Sequence, residues 1–309
     1  MKTKSIIVMA LCSLFLAPCM AGNNEKVVDK SGKQPKWVYS SGKDYLTVSA
    51  EAADIQTAKD KAMIQLKKQI LNSIAENVKS FSSINTLEQG VNGKYEILEE
   101  YANVVETQSA LIPFLSEVSP SKVEEYYWEK IKRGKNYTYR YHIKYPFTQF
   151  DLMRMSDEFL TQEREINKKL ADFSNDNFTT YSSVEEMVQR LQDVRLLRAS
   201  LMEQDARRTT CQNIEKVYNG YLKAITIRLL SVDKKELVYA PYFGEKQLTT
   251  TIQPKLESNC LSDMQFVPRN GKCVVTYDFE TSCYEGEENN IIITLNIAGN
   301  KIKNTFIVK

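Results

Sequence analysis

AADIQTAKDKAMIQLKKQILNSI, residues 52–74, repeats alanine or a branched aliphatic about every fourth position. Ile55, Ala58, Ala62, Leu66, Ile70, Ile74 and Val78 recur at three- and four-residue spacing, which places them on one stripe of a helix. Asp54 is positioned to cap its start. A helix over this span is on the order of 35 Å long at about 1.5 Å per residue. No polar group interrupts the stripe at a spacing that acid–base chemistry would use. Small side chains let a helix lie close on a sheet, so the stripe reads as core.

The sheet it needs is supplied on both sides. Upstream, YLTVSA (residues 45–50) alternates Leu46 and Val48 with Thr47 and Ser49, the period of a strand. Downstream, KVEEYYWEKIKRGKNYTYRYHIKYP (residues 122–146) reads as a hairpin turning at Gly134-Lys135. That turn sets Glu129 opposite Arg140, Glu125 opposite Lys144 and Tyr127 opposite His142. On the other face Trp128 meets Tyr141 and Tyr126 meets Ile143, with Tyr137 and Tyr139 extending the same surface. One face is thus charged and the other aromatic, as a half-buried antiparallel pair should be. The aromatic face is the expected partner of the alanine-bearing stripe. A second helix is expected from Tyr95 to about Ala110, with Ile97, Tyr101 and Val105 inward.

From about Phe150 the period becomes helical. Leu152, Met155, Phe159, Ile166, Leu170 and Phe173 form one stripe, SNDNFTTYSS (174–183) a loop, and Val184, Met187, Leu191, Val194 and Leu201 a second stripe. Ser182 with Glu185, or Ser183 with Glu186, offers a capping box. Two long charged helices joined by a polar loop are expected as an antiparallel hairpin. From Ala224 onward ITIRLL, ELVYA, QLTTTI, MQFV, CVVTYDFE, IIITLNI and TFIV are short strand-like runs, spaced as in an immunoglobulin-like β-sandwich. AGNK (298–301) marks a tight turn between the last two. The fold class expected is therefore α+β: an antiparallel sheet packed on a long helix, then an α-helical hairpin and a C-terminal β-sandwich. The expected segments are 1–21, 35–148, 149–223 and 224–309.

The first twenty-one residues read as a secretory signal: Lys2 and Lys4, an apolar run from Ile6 to Leu16, and small residues ahead of a cleavage between Ala21 and Gly22. The run is about half the ~20 residues a membrane-spanning helix needs. LAPC (16–19) also approaches a lipidation box at Cys19, although Pro18 fits it poorly. Cleavage after Ala21 is the expected processing, with acylation of Cys19 as the alternative, and membrane contact is expected only with the latter.

Charge and cysteines exclude several classes. The chain has 41 basic and 39 acidic residues, and Lys2 and Lys4 lie in the leader, so the remainder is balanced. Nucleic acid is not an expected partner, since displacing counterions from phosphates needs a positive excess. Beyond the leader four cysteines remain: Cys211 and the clustered Cys260, Cys273 and Cys283, which can form at most one bridge among themselves.

PKW (35–37), a short strand and then AEAADIQTAKDKA (50–62) with Ala50, Ala52, Ala53, Ala58 and Ala62 resemble the Lpp-twenty type outer-membrane lipoprotein family. The arrangement over about 35–148 is also similar to the N-terminal domain of the flagellar assembly T-protein. The resemblance implies a cell-envelope location and a non-enzymatic role, with envelope proteins as partners.

Candidate chemistry is sparse. His142 is the single histidine, and the hairpin register puts it beside Arg140 and Lys144 on a face expected to be solvated. No GxSxG, HExxH, Walker or GxGxxG motif occurs. The basic hairpin tip, Lys132, Arg133 and Lys135, could contact an anion, and reads in the first place as a solvated turn balanced by nearby glutamates. EGEENN (285–290) lacks the ligand spacing of a calcium loop. No catalytic residue, cofactor or metal site is expected. The expected role is that of a non-catalytic exported scaffold or protein-interaction protein of the periplasm or outer membrane. The alternative is carbohydrate or peptidoglycan binding through the C-terminal sandwich.

Overall fold

The computed structural model describes residues 25–40, 42–84, 91–108, 112–280, 283–284 and 288–308. They form a mixed α+β structure with helix-on-sheet packing and a helix pair. The chain divides into two compact units, one ending at Ile70 and taking in Val118–Asp151, the other made of Leu71–Glu117 and Leu152–Lys309.

In the first unit β1 (Glu25–Lys30), β2 (Tyr45–Ala52), β3 (Glu125–Arg133) and β4 (Asn136–Pro146) form an antiparallel sheet in the order β1-β3-β4-β2. The expected hairpin register holds: Glu129 pairs with Arg140, Glu125 with Lys144, Tyr127 with His142 and Trp128 with Tyr141. Gly134 turns the chain at φ 62°, a left-handed backbone value that glycine adopts without strain. α1 (Ile55–Ile84) starts where Asp54 accepts the Thr57 N–H at 2.8 Å. Those bonds to Thr57 hold the Asp54 carboxyl below its ordinary pKa. Ala58, Ala62, Leu66, Ile70, Ile74 and Val78 are buried, so the stripe is core as its period requires, except at Ile55, which is exposed in the first turn. β1 is a strand beyond those the pattern predicts. Its EKVVDK sequence is exposed along its whole length, so it lacks the alternating burial that marks a strand.

The opposite sheet face corrects one expectation. His142 is not solvated but only 6% exposed. The 3-10 turn Lys36–Tyr39 contacts β4, and its buried Trp37 donates Nε1–H to Glu125 at 2.8 Å. A long-range cover of this kind leaves no trace in the hairpin's own alternation.

In the second unit the remainder of α1 and α2 (Val91–Gln108) lie with α3 (Gln149–Ser174), of which Leu152 onward belongs here. Tyr101, Phe114 and Phe159 meet at 5.9–6.4 Å, and Asn77 donates to Ser156 at 2.8 Å. The expected second long helix is divided into α4 (Val184–Ser200) and α5 (Arg207–Lys223), and these two form the helix pair. No proline or glycine breaks the chain there. Instead Arg208 donates to the carbonyls of Arg198 (3.0 Å) and Leu201 (2.8 Å), satisfying the end of α4. Arg207 binds Asp205 at 2.6 Å and, from α3, Glu163 at 2.7 Å. At the start of α4 the Ser183–Glu186 capping box is formed.

The C-terminal strands make two sheets. β5 (Ile225–Val232), β6 (Glu236–Phe243), β10 (Lys272–Thr276) and β9 (Gln265–Arg269) are joined by β7 (Lys246–Gln247) on β6. β12 (Asn300–Val308), β11 (Asn289–Ile297) and β8 (Lys255–Ser258) form the other. Ala298 and Gly299 take positive φ between Ile297 and Asn300, the expected turn. QLTTTI departs from expectation, because only Gln247 joins a strand while Leu248 is buried and Thr249 bridges to Ser183. A single hydrophobic cluster runs from Ile166 on α3 through α4 and α5 to Val308, so helices and sheets share one core.

Glu163 is 1% exposed and holds Arg207 through two hydrogen bonds. Without Glu163, Arg207 keeps only Asp205 and loses both of those charge-assisted bonds. Glu163→Ala should lower unfolding stability by about 2 kcal/mol in urea titrations, and Glu163→Gln by less; a loss below about 0.5 kcal/mol for the alanine variant would contradict this role.

Candidate functional site

A concavity lies on the aromatic face of the first unit's sheet. Ile55, Gln56, Lys59 and Met63 of α1 form one wall, Pro120 and Val123 close one side, and Tyr126, Trp128, Tyr141 and Ile143 form the floor. Its volume is about 430 Å³, within the range of small-molecule sites. The geometry follows from helix periodicity. Ile55, Lys59 and Met63 sit on the row next to Ala58, Ala62 and Leu66, about 60° around the helix. The alanine row is buried, and the neighbouring row overhangs the rings.

The floor is flat. Tyr126 and Tyr141 stack with ring centroids 5.8 Å apart and planes within 7°. Tyr126 is nonetheless 60% exposed, so one ring face is open. Burial raises the Tyr141 pKa, and the phenol stays neutral. Gln56 donates its amide to Asp60 at 2.9 Å. Lys59 is half-buried and, among the described residues, has no carboxylate partner.

The other sheet face is a closed ion network. Glu51 accepts from Arg133 (2.6 Å) and Arg140 (2.6 Å), and Glu25 accepts from Arg140 at 2.7 Å. Hydrogen bonding from Arg133, then Arg140, holds the Glu51 carboxyl below its usual value. Beside them His142 stacks on Tyr127 at 5.8 Å, and its Nε2 has no hydrogen-bond partner. Burial lowers the His142 pKa; Glu129 opposes that shift and Arg140 reinforces it.

The residues singled out from sequence do not converge. Arg133 is spent on Glu51 and Glu25, Lys132 lies over the Tyr137 ring at 5.6 Å, and Lys135 is exposed at the turn. The hairpin tip therefore is not one grouped set of free cations. Cys260 and Cys283 are joined by a disulfide, while Cys273 and Cys211 are buried thiols. Burial pushes the Cys273 thiol up to about 11. Cys19, Ala21 and Gly22, and residues 285–287 of the acidic loop, lie outside the described residues. No group of three or more His, Cys, Asp or Glu residues with metal-binding geometry occurs among the described residues.

The groove residues are legible in the sequence only as a core face. Large rings set against a row of alanines cannot all be covered, and that mismatch is the signal which marks an open surface. No protein-family model matches the chain, and comparisons with curated proteins and with solved structures also find no match.

The buried imidazole generates a pH prediction. Its folded pKa lies below the unfolded value of about 6.5, so between the two the unfolded chain binds more protons. Stability should be level above about pH 7 and fall as pH drops through 6.5, by at most about 1.4 kcal/mol per pH unit. Denaturant midpoints measured from pH 5 to 8 should show this slope in the wild type and not in His142→Phe. Equal slopes in the two would refute the assignment.

Proposed function

We propose that this chain is an exported cell-envelope protein that acts by binding, without turnover. The observation that carries the reading is the groove: an exposed aromatic surface whose lining holds one cation and no acid–base pair. It fits a protein that holds something rather than converts it. Several clustered charged side chains elsewhere support the same view, because they are engaged with one another. Asp176, for example, accepts from Arg190, Tyr181 and Tyr218 at 2.8–2.9 Å, a cluster that ties the α3 end to α4 and α5.

The leader-like first twenty-one residues support export. The disulfide between Cys260 and Cys283 suits an oxidising compartment. The resemblance of about 35–148 to the Lpp-twenty type lipoproteins and to the flagellar assembly T-protein N-terminal domain points to the envelope, with envelope proteins as neighbours. In this reading the two C-terminal sheets are the halves of an immunoglobulin-like sandwich. Their alternating burial, as in β11, supports that arrangement. Attachment to a membrane would follow only from acylation of Cys19.

Cell fractionation with intact-mass measurement tests the reading. The chain should leave the cytoplasm and begin after Ala21, or at an acylated Cys19. Recovery of the full-length, unprocessed chain in the cytoplasm would overturn it.

A further inference from the structure

The groove carries enough chemistry to name a ligand class. Its floor strands, β3 and β4, are the inner strands of their sheet, paired on both edges with β1 and β2 and with each other. No free backbone ladder is therefore available beneath the groove, and an extended peptide could not add itself as a strand there. What the floor offers is ring surface: the exposed face of Tyr126, backed by the parallel ring of Tyr141, with Trp128 also in the lining. Flat aromatic faces pair with the C–H face of a pyranose as well as with aliphatic groups, and their polar edges tolerate hydroxyls.

The polar groups narrow the choice. Lys59 is the one charged residue in the lining, half-buried between Ile55 and Met63 along the helix and, among the described residues, without a carboxylate partner. A cationic ligand would be repelled by it. One ammonium balances one carboxylate, whereas a phosphate is best held by several donors. An acyl chain would leave the edge made by the Gln56 amide and the exposed Tyr126 in contact with methylene groups. We propose that the groove of the first unit binds a saccharide bearing a carboxylate, its ring stacked on the open face of Tyr126 and its acid group paired with Lys59.

This proposal rests on the binding role and deepens it. It places saccharide recognition on the N-terminal unit rather than on the C-terminal sheets. The probes are the disaccharide of N-acetylglucosamine and N-acetylmuramic acid, neutral chitobiose, octanoate and adenosine monophosphate. Each is titrated calorimetrically into the purified secreted chain, with Trp128 emission followed in parallel. The acidic disaccharide should bind about tenfold more tightly than chitobiose, as expected for one charge-assisted contact. Lys59→Gln should abolish that preference. Tyr126→Ala should weaken both saccharides about tenfold, with the far-ultraviolet spectrum unaltered because Tyr126 is largely exposed. Equal affinity for the acidic and neutral sugars, or preference for octanoate or the nucleotide, would overturn the ligand class and leave the binding role standing. Absence of binding by all four probes at millimolar concentration, with Trp128 emission unmoved, would overturn both.

Discussion

The first unit depends on how closely α1 can approach its sheet. A helix whose contact row is Ala58 and Ala62 comes nearer to the strands than one with larger side chains in those places, and both alanines are fully buried. The approach has two consequences. It leaves Ala58 and Ala62 fully buried, and Leu66 and Ile70 continue that buried row along the helix. It also hangs the adjacent row, Ile55, Lys59 and Met63, above Tyr126, Trp128 and Tyr141, so that an open groove forms at the edge of the contact. Core packing and the candidate binding surface are then two results of one choice of side-chain size.

The sheet itself divides its work by face. The aromatic face meets the helix, and the charged face carries the Glu25, Glu51, Arg133 and Arg140 network beneath the Trp37 turn. Exposed ion pairs contribute little each, but a shared network that is partly buried holds four side chains in one arrangement. Three strands contribute to it besides β1, which fixes β1 at the edge through Glu25. The second unit uses the same device at greater depth. Arg207 links α5 to α3 through Glu163, and the Asp176 cluster joins the end of α3 to α4 and α5. Buried ion groups of this kind are costly to desolvate, so each is surrounded by partners.

Much of this is legible in the residues, and the limits have physical causes. The hairpin register follows from one turn and from charge opposition across it, both local. The α1 stripe, the Asp54 cap, the Ser183–Glu186 box and the Ala298-Gly299 turn are also local and read directly. What stays hidden comes from distant parts of the chain. His142 is covered by a turn about a hundred residues upstream, so its own strand reads as solvated. The break between α4 and α5 has no sequence punctuation, because arginine side chains rather than glycine satisfy the freed carbonyls. The groove reads as core, because alternation identifies a face but does not say how much of that face a helix can cover. Residues 1–24 and 285–287 lie outside the described residues.

The spacing set by the alanine row is best tested by filling it. Urea unfolding of Ala62→Leu, compared with Ala53→Leu at an exposed position just ahead of α1, measures how closely the helix lies on its sheet. A close approach predicts a loss of about 1–3 kcal/mol for Ala62→Leu and a change within about 0.5 kcal/mol for Ala53→Leu. Equal, near-zero changes at both positions would mean that the helix has room beneath it, and the common origin of core and groove in side-chain size would be wrong.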